Sequence, residues 1–505
     1  MNHLTALRKF IVLGFSDLGW AIFLIVLGSR LTVFSYAGSP LPFYDQWIAE
    51  FNNTLIAILT GRGWETLLTF HNEHLILTSK LLTLVGYSLN GYWDVPFLVL
   101  CSAGVRALTA ALTFELVANA APPKTKIFLW LLCAVIFATP YSGYNCLNGM
   151  QVCFYLADFA LLLSLRATVN WAGPAAGGLA LIGGTLFGLI SLTSAVAIPA
   201  STLAAHLFQR RSRPGFWPAW IISAMIALGF IIVSRHSSGS VAIAAIHQSI
   251  TLKGAATFCL QLIAWPIGTV AIGGLMILLA AIALVFSVKC NDRHNVTMGG
   301  IIGLGVFAAL NAAIIAINRD PSELHMRHFD MIALFPFTLL ALGLRLAERN
   351  AFRRPALLLM GAVALGYVFY GGNLIRNVSW PYLKAAHETR TAALEHYRTL
   401  ITKEDLHEES KRLHVLLNQS GHAFFDDPIG RFSLHPLILE STVKLNYRPL
   451  ALLSPEIIPG RKPSLFSWLT RQLIAYGWLL GVLGVVLGAA AIRHDLGRSD
   501  ETTKP

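Results

Sequence analysis

Long apolar runs organise this chain. Runs near 14–36, 96–118, 127–143, 150–166, 175–191, 193–208, 216–234, 269–288, 298–318, 329–346, 355–372 and 467–491 each approach the length of a membrane-crossing helix, which needs roughly 20 mainly apolar residues. Two neighbours, 74–92 and 254–268, are apolar but short or interrupted. They are expected to lie at the membrane surface without crossing it. The pattern predicts an all-α polytopic membrane protein with about a dozen transmembrane helices, and no inverted repeat of the transporter kind is visible in it.

The basic residues orient these spans. With the N-terminus in the cytoplasm, alternate loops carry Arg8 and Lys9, then Lys124 and Lys126, Arg166, Arg210, Arg211 and Arg213, Lys289 and Arg293, Arg345, Arg349, Arg353 and Arg354, and finally Arg493 and Arg498. Every cluster falls on one side, as the positive-inside rule requires. This holds only if 74–92 does not cross, so the charges decide the span count. The first run is longer than a signal-peptide core and continues into Arg30 without a clean small-residue site, so it reads as an uncleaved anchor. Both termini are then expected in the cytoplasm, in a bacterial inner membrane. A catalytic bundle (1–372) would carry an outer first loop (37–95), with a second outer loop at 235–268. A small extracytoplasmic domain (373–466) would precede the last helix and tail (467–505). Within that domain, Ala385–Leu400 and Lys403–Leu417 read as helices, broken by turn signals at Asp426-Asp427-Pro428.

Composition agrees with the membrane reading. Hydrophobic residues make up 55% and charged residues 13% of the 505 positions, against roughly 25% charged in soluble domains, and mean hydropathy is +0.61. The net charge of +12 is largely the loop bias, so nucleic-acid binding is not needed to explain it. Six cysteines lie mostly inside apolar runs without metal-ligand spacing and read as small hydrophobes, although Cys146 and Cys153 could meet in an oxidising compartment. No phosphate-cradling GxxxxGK[ST] and no GxGxxG after a strand is present, which disfavours ATP-driven or NAD-dependent chemistry.

The unusual chemistry gathers in the outer loops. The first contains Pro42-Phe43-Tyr44-Asp45-Gln46-Trp47, then Glu50, then His71-Asn72-Glu73-His74, then Lys80. Tyr141 to Asn145 leads into Asn148-Gly149-Met150-Gln151, and Asn318-Arg319-Asp320-Pro321 is followed by His325, Arg327 and His328. Arg30 and Arg106 lie inside predicted spans, where charge is costly and faces an interior or a watery cavity. Each group has a plainer reading. Asp45 would cap a surface helix beginning at Gln46, Arg106 would pair with a carboxylate to lock the bundle, and Asn148–Gln151 would cap the next helix. His71, Glu73 and His74 lack the HExxH order of zinc proteases, and contact with substrate is favoured over metal ligation.

Taken together, these features resemble the GT-C class of polytopic glycosyltransferases, which includes protein O-mannosyltransferases and lipid A aminoarabinose transferases. The matching features are Asp45 shortly after span one, His71-Asn72-Glu73-His74, the Leu-rich stretch from Leu75 to Leu84, Gly91-Tyr92-Trp93, and Val105-Arg106-Ala107-Leu108 early in the second span. Weaker echoes are Asn145 to Gln151, and Arg327-His328-Phe329 in place of an Arg-Tyr pair. The resemblance departs where Asp45 is followed by Gln46 instead of a second carboxylate, which weakens the case for a bound metal.

The resemblance implies transfer of a sugar from a polyprenyl-phosphate donor to a glycan, lipid or protein acceptor on the outer face, with inversion. Asp45 would be the general base. Arg319 and Arg327 would grip the phosphate, with Arg106 or Lys80 as alternatives. His71, Glu73, His74, Gln151 and His328 would contact sugar or acceptor. No cofactor is required, and a divalent metal is not favoured. The partners would be the lipid-linked donor, the acceptor and membrane lipids. The competing reading is a transporter or lipid flippase, which should place ionisable groups near the middle of several spans. Here the unusual groups collect at the outer ends, which favours an enzyme working at one face.

Overall fold

The computed structural model describes residues 15–42, 46–59, 61, 63–71, 74–119, 121–209, 213–237, 251–289, 296–319, 328–348, 353–399, 455 and 462–501. These form a helical bundle. In chain order its helices are α1 (Asp17–Ala37), α2 (Leu77–Asn90), α3 (Val95–Ala118), α4 (Pro123–Ala138), α5 (Val152–Val169), α6 (Pro174–Ser191), α7 (Ile198–Gln209) and α8 (Phe216–Ser237). They continue as α9 (Leu252–Ile263), α10 (Val270–Lys289), α11 (Val296–Asn318), α12 (Leu334–Ala347), α13 (Arg353–Leu374), α14 (Trp380–Thr399), α15 (Leu465–Ala475) and α16 (Gly477–Glu501). Among the described residues there is no strand; His71 and His74 form an isolated antiparallel bridge.

Nine helices among the described residues are long and apolar enough to cross a membrane, so the chain is a multi-pass α-helical protein. The three other predicted runs are helical but fall outside that group. The run near 127–143 is α4, only 16 residues long. The run near 193–208 is a 3-10 turn, Thr193–Ala197, followed by the 12 residues of α7. The run near 355–372 is α13, which opens on Arg353 and Arg354. The last run divides at Tyr476 into α15 and α16, and its crossing portion is Gly477–Asp495. The two stretches expected to stay at the surface are short: α2 has 14 residues and α9 has 12. At 1.5 Å per residue they reach only about 21 and 18 Å, well below the roughly 30 Å of a hydrocarbon core.

Local signals explain where the helices begin. Ser16 caps α1 by accepting from Gly19 N, Asp94 caps α3 by accepting from Phe97 N, and Thr251 caps α9 through Gly254 N. Inside the spans, hydroxyls bond back to the preceding turn, as Thr109 does to the Val105 carbonyl and Ser164 to that of Ala160, both at 2.8 Å. A lone hydroxyl is thereby satisfied in an apolar setting.

The first and last membrane helices pack against each other with almost no side chain between them. A Cβ on Gly28 would sit on the Gly481 backbone and 2.7 Å from the Gly477 carbonyl oxygen, and one on Gly484 would meet the Ala21 carbonyl at 2.8 Å. Small residues permit this approach, and without a hydrophobic drive between helices in lipid such packing is what holds them. Gly28→Val is expected to destabilise the protein by at least about 1–3 kcal/mol, the usual cost of overpacking. Thermal unfolding in detergent checks this, and an unchanged midpoint would contradict the close approach.

Beyond α13 the chain continues through π-helical turns, Ile375–Ser379, into α14. That helix folds back onto the end of α1: the Tyr36 ring stacks on Trp380 at 5.5 Å and on His387 at 4.4 Å, and His387 Nδ1 lies 2.7 Å from the Tyr36 carbonyl. The helix expected at 385–400 thus starts earlier and is part of α14. Lys403–Leu417 and the turn at 426–428 lie outside the described residues.

Candidate functional site

The segment after α1 turns inward. A helix begins at Gln46, as the sequence suggests, and runs as a π-helix over Trp47–Ile56. The wide winding is visible in Thr54, whose hydroxyl donates to the carbonyl five residues back, Ala49 O, at 2.8 Å. The stretch does not lie open at the membrane surface. Gln46, Glu50, Phe51 and Leu55 are fully buried, and Phe51 stacks on Trp93 with centroids 5.1 Å apart. Glu50 is its anchor: Gln46 Nε2 donates to one carboxylate oxygen at 3.0 Å and Ser79 Oγ of α2 to the other at 2.9 Å.

Burial pushes the Glu50 carboxyl up to about 7, against hydrogen bonds from Gln46, Ser79 and Trp93 that favour the charged form. The folded protein therefore holds a proton that the unfolded chain has released once the pH passes an ordinary carboxyl value near 4.5. Stability from this group is present at low pH and is lost as pH rises through the window from about 4.5 to about 7, a loss on the order of 3 kcal/mol. The wild-type melting temperature is expected to fall across that window, and the melting temperature of Glu50→Gln much less. Parallel slopes in detergent melts would remove Glu50 as the cause.

Next in the loop, Lys80 is spent on structure. Its ammonium donates to the carbonyls of Thr66, Leu67 and Thr69 at 3.1, 3.3 and 2.7 Å and to the Thr69 hydroxyl at 3.0 Å. Burial lowers its pKa to about 8. His71 and His74 exchange backbone hydrogen bonds of 2.7 and 3.0 Å. Ile76, just beyond, holds φ at 45°, a left-handed conformation unusual for a β-branched residue and costing about 1–3 kcal/mol. Such strain is tolerated where the surroundings fix it, and here it joins the histidine turn to α2.

Inside the bundle lies a buried cluster of two arginines and two aspartates. Arg30 of α1 donates to both oxygens of Asp330 at 3.0 Å, to Tyr155 Oη at 3.1 Å and to Cys146 Sγ at 3.3 Å. Tyr155 and Asn145 also donate to Asp330, at 2.5 and 3.0 Å. Arg106 of α3 lies 3.5 Å from Asp330 and 3.9 Å from Asp158, with its guanidinium over the Phe137 ring at 4.4 Å and the Tyr155 ring at 5.2 Å. All four charged side chains are at most 2% exposed. Their formal charges cancel, the condition under which such a group survives in an apolar bundle. Neither Cys146 nor Cys153 is part of a disulfide, so the pairing considered from the sequence is not formed.

One helical turn from this cluster, several buried polar groups point to a ligand. Gln151, at the entrance to α5, has neither amide atom hydrogen-bonded, and the Ser102 hydroxyl of α3 is equally unmatched. Gln151 precedes Tyr155 by four residues and Ser102 precedes Arg106 by four, so each sits one turn from the cluster on its own helix. The turn bearing Gln151 is pressed onto α3, since a Cβ on Gly149 would meet Leu98 and lie 3.1 Å from Val99 N. A buried unmatched amide costs about 1–3 kcal/mol and calls for an explanation, a ligand among them. The Phe154 ring bridges two of the predicted histidines, 6.4 Å from the His74 ring and 6.4 Å from that of His328.

The sequence-predicted residues thus separate into groups. His74 and His328 both lie near the Phe154 ring. Gln151 sits three residues before Phe154, and Arg106 is held between two aspartates. His71 is tied to His74 through the backbone. Lys80 is committed to carbonyls, and Arg319 follows the end of α11, half-buried. Asp45, Glu73 and Arg327 lie outside the described residues. Asp330, Asp158 and Tyr155 are added by the structure, which also gives Asn145 and Glu50 their partners. Among the described residues no group of three His, Cys, Asp or Glu side chains converges as metal ligands. Comparison of the chain with known protein families, characterised proteins and solved structures finds no match.

Proposed function

We propose that this protein is a membrane glycosyltransferase of the GT-C type, moving a sugar from a polyprenyl-phosphate donor to an envelope glycan, lipid or protein acceptor on the extracytoplasmic face. The observation that carries the reading is the unmatched, buried Gln151 and Ser102, each one turn from a member of the charged cluster, with His74 and His328 both near the Phe154 ring. These are groups suited to sugar hydroxyls, which present both donors and acceptors. The inward helix 46–56 starts directly after Asp45 in the chain.

In the reaction, Asp45 takes the proton of the acceptor hydroxyl as its oxygen attacks the anomeric carbon. The bond from that carbon to the phosphate oxygen breaks from the opposite side. The electron pair leaves on the phosphate, and the configuration inverts. Arg319 and Arg327 receive the phosphate, bidentately where geometry allows, while Lys80 and Arg106 hold protein groups. The test is transfer from a panel of radiolabelled polyprenyl-phosphate sugars in membranes. Wild type should transfer from at least one donor, and Gln151→Leu should reduce that transfer at least about tenfold, the loss of one or two buried hydrogen bonds.

A second reading, a transporter or lipid flippase, draws support from one observation. Arg106 lies at the midpoint of Val95–Ala118 and Asp158 near the middle of Gly149–Val169, so ionisable groups are not confined to the ends of the spans. They pair with each other and are buried, which suits a lock better than a path. Lipid movement in proteoliposomes without transfer from any donor would favour the transporter.

A further inference from the structure

A groove of about 640 Å³ lies between α4, α12 and α13, lined by none of the candidate site residues. We propose that it holds one acyl chain of an anionic phospholipid, with the lipid phosphate at Lys124 and Arg353.

Three features carry this. The first is length. On α4 the groove runs from Lys124 to Leu132 and on α13 from Arg353 to Ala364. At 1.5 Å per residue this is about 12 to 17 Å, close to one leaflet of a hydrocarbon core roughly 30 Å thick. The second is lining. Phe128, Leu132, Leu340, Leu344 and Leu357 line the groove, surfaces that match a chain and offer a free phosphate nothing beyond the mouth. The third is charge. The mouth carries Lys124 and Arg353 together with the Thr125 hydroxyl, whereas Glu348 at the same end is paired with Arg345 at 2.8 Å. The first turns of both α4 and α13 also open there, adding the positive ends of two helix dipoles to the two cations. A zwitterionic headgroup would bring a further positive charge to a mouth that already carries two. The proposal is independent of the reaction assigned above.

The test uses full-length protein purified in mild detergent and native mass spectrometry with added dioleoyl phosphatidylglycerol or dioleoyl phosphatidylcholine. Wild type is expected to retain the anionic lipid at least about fivefold more strongly, as one to two surface cations imply. Lys124→Gln with Arg353→Gln should abolish that preference. Ala364→Trp, which fills the groove, should weaken retention of both lipids. Thermal melting confirms that each variant is folded, and Gly361→Leu replaces Ala364→Trp if the latter is not. Equal retention of the two lipids by wild type would overturn the proposal. So would unchanged retention in the filled variant, or a lipid-displaced dimer showing that a second copy covers the groove.

Discussion

Replacing Asp330 by leucine is expected to cost the folded protein about 3–5 kcal/mol, the usual penalty for breaking a buried ion pair from one side. Asp330 is the hub of the cluster: it receives Arg30, Tyr155 and Asn145 directly and faces Arg106 at 3.5 Å. With it gone, two guanidiniums share the single carboxylate of Asp158, and one positive charge is left in the apolar interior. Removing Arg30 as well, in Arg30→Met with Asp330→Leu, returns the formal charge to zero. The double variant should therefore recover much of the loss, because well-packed apolar replacements of buried ion pairs are often neutral. Thermal unfolding in detergent reads both. A single variant that melts with wild type, or a double variant no better than the single, would show that charge balance is not what the cluster provides.

The legibility of this cluster in the sequence is uneven. Arg30 and Arg106 stand out as charges inside apolar runs, and the bland reading of Arg106, pairing with a carboxylate to lock the bundle, matches its contacts with Asp158 and Asp330. The same signal marks Asp158 and Asp330, which lie within the runs 150–166 and 329–346. The impression that unusual groups keep to the outer ends of the spans passes over them. Pairing itself is not legible, since Arg30 and Asp330 are 300 positions apart and only the packing of α1 beside the start of the eighth apolar span joins them. The helices were readable because a membrane span is a composition, not a periodicity. Their lengths were less so: α4 ends early and α7 begins late, at turns that hydropathy does not register. Glu50 reads as one of two carboxylates in an interfacial loop. Its burial depends on Ser79 and Trp93, 29 and 43 positions away, and a local reading cannot supply such partners.

Asp45→Asn should reduce sugar transfer by about 10²–10⁴-fold, the range over which a positioned general base acts, while leaving expression and melting temperature at wild-type values. The stability half of this expectation follows from where the local fold is anchored. The helix that begins at Gln46 is held through Glu50, Ser79 and the Phe51–Trp93 stack, none of which needs the carboxylate one residue earlier. The activity half follows from chemistry: an amide of the same shape accepts a hydrogen bond but does not take up the acceptor's proton at neutral pH. Glu50→Gln is the matched control. It removes a buried carboxyl from the same segment, so it should alter the pH dependence of melting and leave most of the transfer in place. Collapse of transfer in both variants would point to the geometry of the segment. Collapse in Asp45→Asn alone assigns the proton transfer to Asp45, and full activity there would remove that assignment while sparing the enzyme class.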